Sequence, residues 1–383
     1  MQIRRKTVAK KLISVIVVLL VALAAVFLVL RKGGDKTGTV TIGAVLPLTG
    51  DLASYGQNAR EGIMLYAEQV NASGGIDGRS VSIIFEDSAG QPAQAVSALN
   101  KLLTVNNAIA VIGGISSSTT LAMAPVANNN KVVLLSPAAS APDITTAGPY
   151  IYRVWPSDVF ESGRMAEYVI ANRIENVVIL YVNNDYGKAM LASFKAALGE
   201  SASKVVIAAD NFDPNATDVR TQLSRIRSSD AKWIYLISYP KDSAIILRQM
   251  TELGLKTKIL ATSSYEDPLV LAAPAQTIEG SIFTSPIPPA SDNKVVADFH
   301  SAYLKKYGKK PGLVADYGYD ALLVLVDAIK SDGTTREGLA RAIKSLPPLE
   351  GASGLIKFDK NGDVLKPAGM KTIKDGKYVW LEQ

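Results

Sequence analysis

The chain has 383 residues, 48% of them apolar, with 41 Lys and Arg against 35 Asp and Glu and a net charge of +6. The basic excess is confined to the start: residues 1–36 hold eight basic side chains and one acid, net +7, so the rest sums to −1 and no nucleic-acid partner is expected. No cysteine is present, which removes a disulfide framework, a thiol nucleophile, thiolate metal sites and the lipid-bearing Cys of a lipoprotein signal; no metal or cofactor is expected.

Behind five basic residues, residues 12–30 form an apolar stretch uninterrupted by any charge. It is long enough to cross a bilayer and is also laid out as a secretory signal. Ala22-Leu-Ala24 offers a cleavage site, but cutting there would leave residues 25–30 apolar and exposed, which favours an uncleaved signal anchor. More positive charge lies before the stretch than after it, so the tail stays inside and the folded part goes outside. A polar linker, residues 33–38, leads to a predicted strand at 40–46.

Ala59, Ile63, Ala67 and Val70 then recur at helical spacing over 56–71, and Gly74-Gly75 stops the helix. Strands follow at 81–85, 109–112 and 132–135, with a helix over 91–103, giving the βαβ rhythm of a covered parallel sheet. The rhythm restarts with strands at 177–181, 205–209, 233–237, 259–261 and 281–283, and helices over 186–198, 218–228 and 242–253. Helices over 295–307, 316–329 and 336–345 and strand-like stretches at 355–358 and 378–380 close the chain. The fold expected is α/β with two doubly wound, Rossmann-like lobes.

The centre of the first half is Ala110-Val-Ile-Gly-Gly-Ile-Ser-Ser-Ser-Thr-Thr-Leu-Ala122. It reads as a buried strand, a tight turn and a helix whose first turn is capped by hydroxyls. That turn could cap the helix only, or its free N–H groups could receive a carboxylate. It contains no Lys or Arg and no GxxxxGK, so a nucleotide phosphate loop fits poorly. Ser136-Pro-Ala-Ala-Ser140 follows the next strand, and ligands of open parallel sheets bind beyond such strand ends. Enzymatic chemistry has no support: the lone His300 sits in a helical stretch without a GxSxG elbow, and Asp359-Lys-Asn-Gly-Asp363 reads as a β-turn because Met370 stands where a calcium loop needs Glu.

Five segments together resemble the branched-chain (Leu/Ile/Val) type of periplasmic solute-binding protein of ABC transporters, with the type I periplasmic binding fold. They are Val40-Thr-Ile-Gly-Ala-Val-Leu-Pro-Leu-Thr-Gly-Asp-Leu-Ala-Ser-Tyr-Gly56, Asn71-Ala-Ser-Gly-Gly-Ile-Asp-Gly78, Leu135-Ser-Pro-Ala-Ala-Ser-Ala-Pro142, Asn184-Asp-Tyr-Gly187 and Phe358-Asp-Lys-Asn-Gly-Asp363. The likeness runs in unbroken order from about residue 39 to the end. It implies three hinge crossings, with residues 37–157 and 286–355 in lobe 1 and residues 158–285 and 356–383 in lobe 2, behind the tail, anchor and linker of residues 1–36.

The same resemblance implies a site. Ser117, the backbone of Ala138 and Ser140 match positions that hold a ligand α-carboxylate; Tyr186 and Tyr239 match second-lobe residues that shut the cleft. Tyr55 matches an aromatic lining residue, and Ile115 and Ser116 match the side-chain pocket. Amino-acid binders of this type place an acid, paired with the ligand ammonium, where this chain has Ser263; Glu266 or Asp267 could supply that charge. If neither does, an amine-free carboxylate or a neutral amide is the expected ligand, because a buried unpaired ammonium is costly. The expected function is extracytoplasmic capture of an amino acid or a related small carboxylate or amide for an ABC permease, from a site tethered to the membrane. The alternative is a ligand-sensing domain that signals through a separate partner.

Overall fold

The structure is a computed structural model that describes residues 38–287, 293–332 and 335–381. The expected signal anchor at 12–30 lies outside the described residues, and among those described no helix is long and apolar enough to cross a membrane.

The first sheet is built from β1 (Thr39–Leu46), β2 (Ser80–Asp87), β3 (Ala110–Gly113), β4 (Val133–Ser136) and β5 (Ile151–Arg153), all parallel, in the order β2-β1-β3-β4-β5. Alternation along β1 sends Val40, Ile42, Ala44 and Leu46 to one buried face and Val45 to the other. The first face is covered by α1 (Ala53–Ala72), the opposite one by α2 (Pro92–Thr104) and α3 (Ser117–Asn129). Leu99 and Leu102 of α2 are fully buried, each stabilising the fold by about 1.5–3 kcal/mol relative to exposure.

The second sheet repeats the plan. Its strands are β6 (Val177–Val182), β7 (Val206–Phe212), β8 (Trp233–Ile237), β9 (Lys258–Ala261) and β10 (Ile282–Pro286), and the order β7-β6-β8-β9-β10 is the first sheet's order again. Helices α4 (Asp158–Ala171), α5 (Asp185–Leu198), α6 (Arg220–Arg227) and α7 (Pro240–Glu252) accompany it. This is the restart that the sequence pattern shows near residue 177.

After β10 the chain returns to the first sheet as α8 (Lys294–Tyr307), α9 (Ala315–Asp332), α10 (Arg336–Ser345) and the small ribbon β11 (Leu349–Gly351) and β12 (Gly354–Ile356). Helix α9 packs directly on α1. A Cβ at Gly62 would lie 1.8 Å from the Ala315 carbonyl oxygen, and one at Gly318 would lie 2.4 Å from that of Ala59, so glycines permit the close approach. The chain then crosses once more and adds β13 (Ala368–Lys374), antiparallel to β10, and β14 (Lys377–Trp380). Strands β5 and β13 were not expected. β5 has only three residues, and β13 has only Met370 and Ile373 as large apolar residues beside Lys371, Thr372 and Lys374.

Candidate functional site

The carboxyl ends of both sheets face one cleft of about 460 Å³ of empty space, part of it open to solvent. On the first sheet's side, β3 ends at Gly113-Gly114 and α3 begins at once. Gly114 has φ +65°, and a Cβ there would lie 1.9 Å from the Thr120 hydroxyl, so the sharp turn requires glycine. Ser116 caps α3: its hydroxyl accepts from the Thr119 N–H at 3.3 Å and shares a 2.9 Å hydrogen bond with the Thr119 hydroxyl. Capping therefore occupies Ser116 and leaves its neighbour for other work. The Ser117 hydroxyl accepts the Ala141 N–H at 3.1 Å, which leaves its own proton to donate.

After β4, the Ser136 hydroxyl donates to the Gly114 carbonyl at 2.6 Å and accepts from the Ala138 and Ala139 N–H groups, tying the two loops together. Arg153, wholly buried at the end of β5, donates to the Ser140 and Ala141 carbonyls at 2.9 and 2.8 Å, and its Nε meets Asp363 at 2.7 Å. The Phe358–Asp363 segment is indeed a turn, with Asp359 accepting from the Asn361 and Asp363 N–H groups. Its terminal Asp363 braces the loop that carries Ser140.

The second sheet's side is aromatic and acidic. Asn184 caps α5 by accepting from the Gly187 N–H at 3.0 Å, which sets Tyr186 at the helix entrance. The Tyr186 hydroxyl donates to Thr262 at 2.8 Å, and its ring stacks on Tyr239 with centroids 5.3 Å apart. Burial pushes the Tyr55, Tyr186 and Tyr239 hydroxyls upward, so they are neutral hydrogen-bonding groups at pH 7. The Tyr55 hydroxyl is buried without a protein partner.

Nine of the residues singled out in the sequence line this cleft: Tyr55, Ile115, Ser116, Ser117, Ala138, Ser140, Tyr186, Tyr239 and Ser263. Glu266 is not brought there. It pairs with Lys371 of β13 and accepts from the Ser285 hydroxyl at 2.7 Å, while Asp267 caps the short helix Pro268–Leu271. Trp155, Leu313 and Val314 also line the cleft and were missed; Val314 holds φ +76°, unusual for a β-branched residue.

The acid that does line the cleft is Glu161, in the first turn of α4, a position that sequence reasoning passed over. It accepts from the Ser263 N–H at 2.5 Å, from the Ser263 hydroxyl at 3.0 Å and from the Thr284 hydroxyl. Burial raises its pKa, opposed by the hydrogen bonds from Thr284 and Ser263. One turn earlier, Asp158 donates its N–H to the Ser140 carbonyl at 2.8 Å while both its carboxylate oxygens are buried and unpartnered. Burial pushes Asp158 up to about 8, with the nearby Ser140 hydroxyl opposing, Glu161 adding to the rise and the Arg153 charge opposing it. Two contacts bridge the sides near the rim: Lys241 with Asp51, and the Asp185 N–H with the Ser118 hydroxyl at 3.4 Å.

Residues 39–377 match the profile of the family described as periplasmic binding protein. The chain is similar to the Leu/Ile/Val-binding protein homolog 3 of Brucella melitensis, 28% identical over 90% of this chain and 94% of that protein. Among solved structures it is similar to the leucine binding protein LivK of Thermotoga maritima, with 30% identity, TM-score 0.82 and coverage of 90% of this chain and 98% of that one. LivJ of Streptococcus pneumoniae in complex with isoleucine gives 25% identity, TM-score 0.81 and coverage of 89% and 97%.

Proposed function

The chain belongs to the family of periplasmic binding proteins, and on that premise we propose that it captures an amino acid, or a related small carboxylate or amide, between its two lobes and delivers it to an ABC permease. It is an extracytoplasmic binding protein and not an enzyme. One observation carries the reading: hydroxyl and backbone donors after β3 and β4 face tyrosines after β6 and β8, Ser263 after β9 and the acid Glu161 of α4 across a single cleft. In this reading Ser117, Ala138 and Ser140 receive the ligand's carboxylate or amide oxygen. Tyr186 and Tyr239 close over it from the other lobe. Contacts from both sides form only when the lobes are together, so ligand shifts the population toward closure.

The hinge is assigned to the three places where the chain changes sheets, near residues 154–158, between β10 and α8, and near residues 356–368, with residues 37–157 and 286–355 as one lobe and 158–285 and 356–383 as the other. Residues 12–30 are proposed to hold the protein on the cytoplasmic membrane. The sensing alternative gains nothing from the relatives, whose names describe binding proteins. A thermal-shift screen of the full chain against amino acids, their deaminated acids and small amides tests the function. Stabilisation should follow ligand concentration as expected for a compound that binds the folded state alone, and a chain indifferent to all three classes would refute the proposal.

A further inference from the structure

We infer that Glu161 receives the positive end of the ligand, so that the cleft selects a solute carrying both a primary ammonium and a carboxylate. The inference rests on the binding function proposed above and names its substrate class. Three neutral donors, the Ser263 N–H, the Ser263 hydroxyl and the Thr284 hydroxyl, fix the Glu161 carboxylate in place. A carboxylate offers about four acceptor positions, so capacity remains for a further donor. None of the three donors carries a charge, and among the described residues no Lys, Arg or His lines the cleft. Arg153, the buried cation behind the Ser140 loop, is engaged with Asp363. A buried carboxylate fixed by hydrogen bonds yet lacking a counter-charge is half of an ion pair.

Independent observations point the same way. The Tyr55 hydroxyl lines the same cleft, is buried and has no protein partner, so a further polar group has room to meet it. On the first sheet's side the polarity reverses, since the Ser117 hydroxyl has a proton to give. The cleft therefore runs from donors to an acid. An amine-free acid would enclose two carboxylates with no cation, and a neutral amide would leave Glu161 uncompensated. Only a zwitterion satisfies both ends. The acids nearer in sequence to Ser263 are occupied, Glu266 by Lys371 and Asp267 by its helix cap.

The test uses the full chain in detergent solution and calorimetric titration with leucine, valine and alanine, each beside its amine-free counterpart, isocaproate, isovalerate or propionate. Wild type should prefer the amino acid of its best pair. Glu161→Gln should weaken that amino acid about a hundredfold or more while the amine-free acid binds as well or better. The double variant Glu161→Gln with Ser263→Glu should regain the amino acid, because position 263 already touches the Glu161 carboxylate. Should Glu161→Gln fail to fold, Glu161→Asp decides, with the amino acid weakened about tenfold or more and the amine-free acid unmoved. An amino-acid affinity in Glu161→Gln within about threefold of wild type, or a wild type that prefers the amine-free acid, overturns the inference and leaves the binding function standing. Failure of every compound in both classes refutes the amino-acid and carboxylate reading itself.

Discussion

The two sides of the cleft are made from the same strand order but by opposite means. The first side is mostly main chain: loops after β3 and β4 are cross-tied by Ser136 and braced from behind by Arg153, so its donors are fixed before any ligand arrives. The second side is mostly side chain, with stacked Tyr186 and Tyr239 and a Glu161 whose three partners come from two further elements. The same topology thus yields a stiff, uncharged half and a half in which charge and reach reside in a few long side chains.

Asp158 touches both halves, and its ionisation should have the largest effect on stability. Its carboxyl is lifted from 3.8 to about 8, so between those values the folded state keeps a proton that the unfolded chain releases. Stability therefore falls as pH rises from about 4 to about 8, and below about 4, where both states are protonated, this contribution vanishes. At about 1.4 kcal/mol per unit the loss amounts to several kcal/mol. Asp316, pushed up to about 7, and Asp242, to about 6, add to the same fall. Melting temperatures of Asp158→Asn should be flatter across the upper part of that window; an unchanged slope would show that Asp158 is not the buried acid described.

Next comes the brace. Arg153→Ala leaves Asp363 without its partner and frees the Ser140 loop, and urea unfolding should register a loss of about 3–5 kcal/mol. A loss no larger than that of an exposed ion pair would mean the first side is not stiffened from behind. Ser117→Ala should leave the fold intact and weaken a carboxylate ligand by about 1.5–3 kcal/mol in calorimetry; equal affinities would put the anion elsewhere. The smallest effect belongs to the rim. Lys241→Ala breaks a bridge between an exposed lysine and a half-buried aspartate at the rim and should change closed-form stability by only about 0.2–1 kcal/mol, less still in high salt, read by scattering of the ligand-free protein.

Most of this contrast was legible in the sequence on one side and not on the other. The first side announces itself because its donors sit in consecutive short motifs, Gly-Gly-Ile-Ser-Ser and Ser-Pro-Ala-Ala-Ser, directly after apolar strands. The acid on the second side does not. Glu161 lies between exposed Phe160 and the α4 interior, where a first-turn acid would ordinarily serve only the helix dipole. The acids adjacent to Ser263 drew attention by proximity along the chain. Glu266's true partner, Lys371, arrives from a strand 105 positions away that carries too few apolar residues to be noticed.

The late arrival of β13 has a bearing on how the protein is made. As the chain emerges from its N-terminus, the first sheet is laid down within some 155 residues, yet its covering helix α9 comes only at Ala315–Asp332. The second sheet is five strands wide by Pro286 but waits for Ala368–Lys374 to seal the margin of β10. Neither half can finish its core while the last tenth or so of the chain is still being synthesised. For a protein that works outside the cytoplasm, both cores are thereby left open until nearly the whole chain is made.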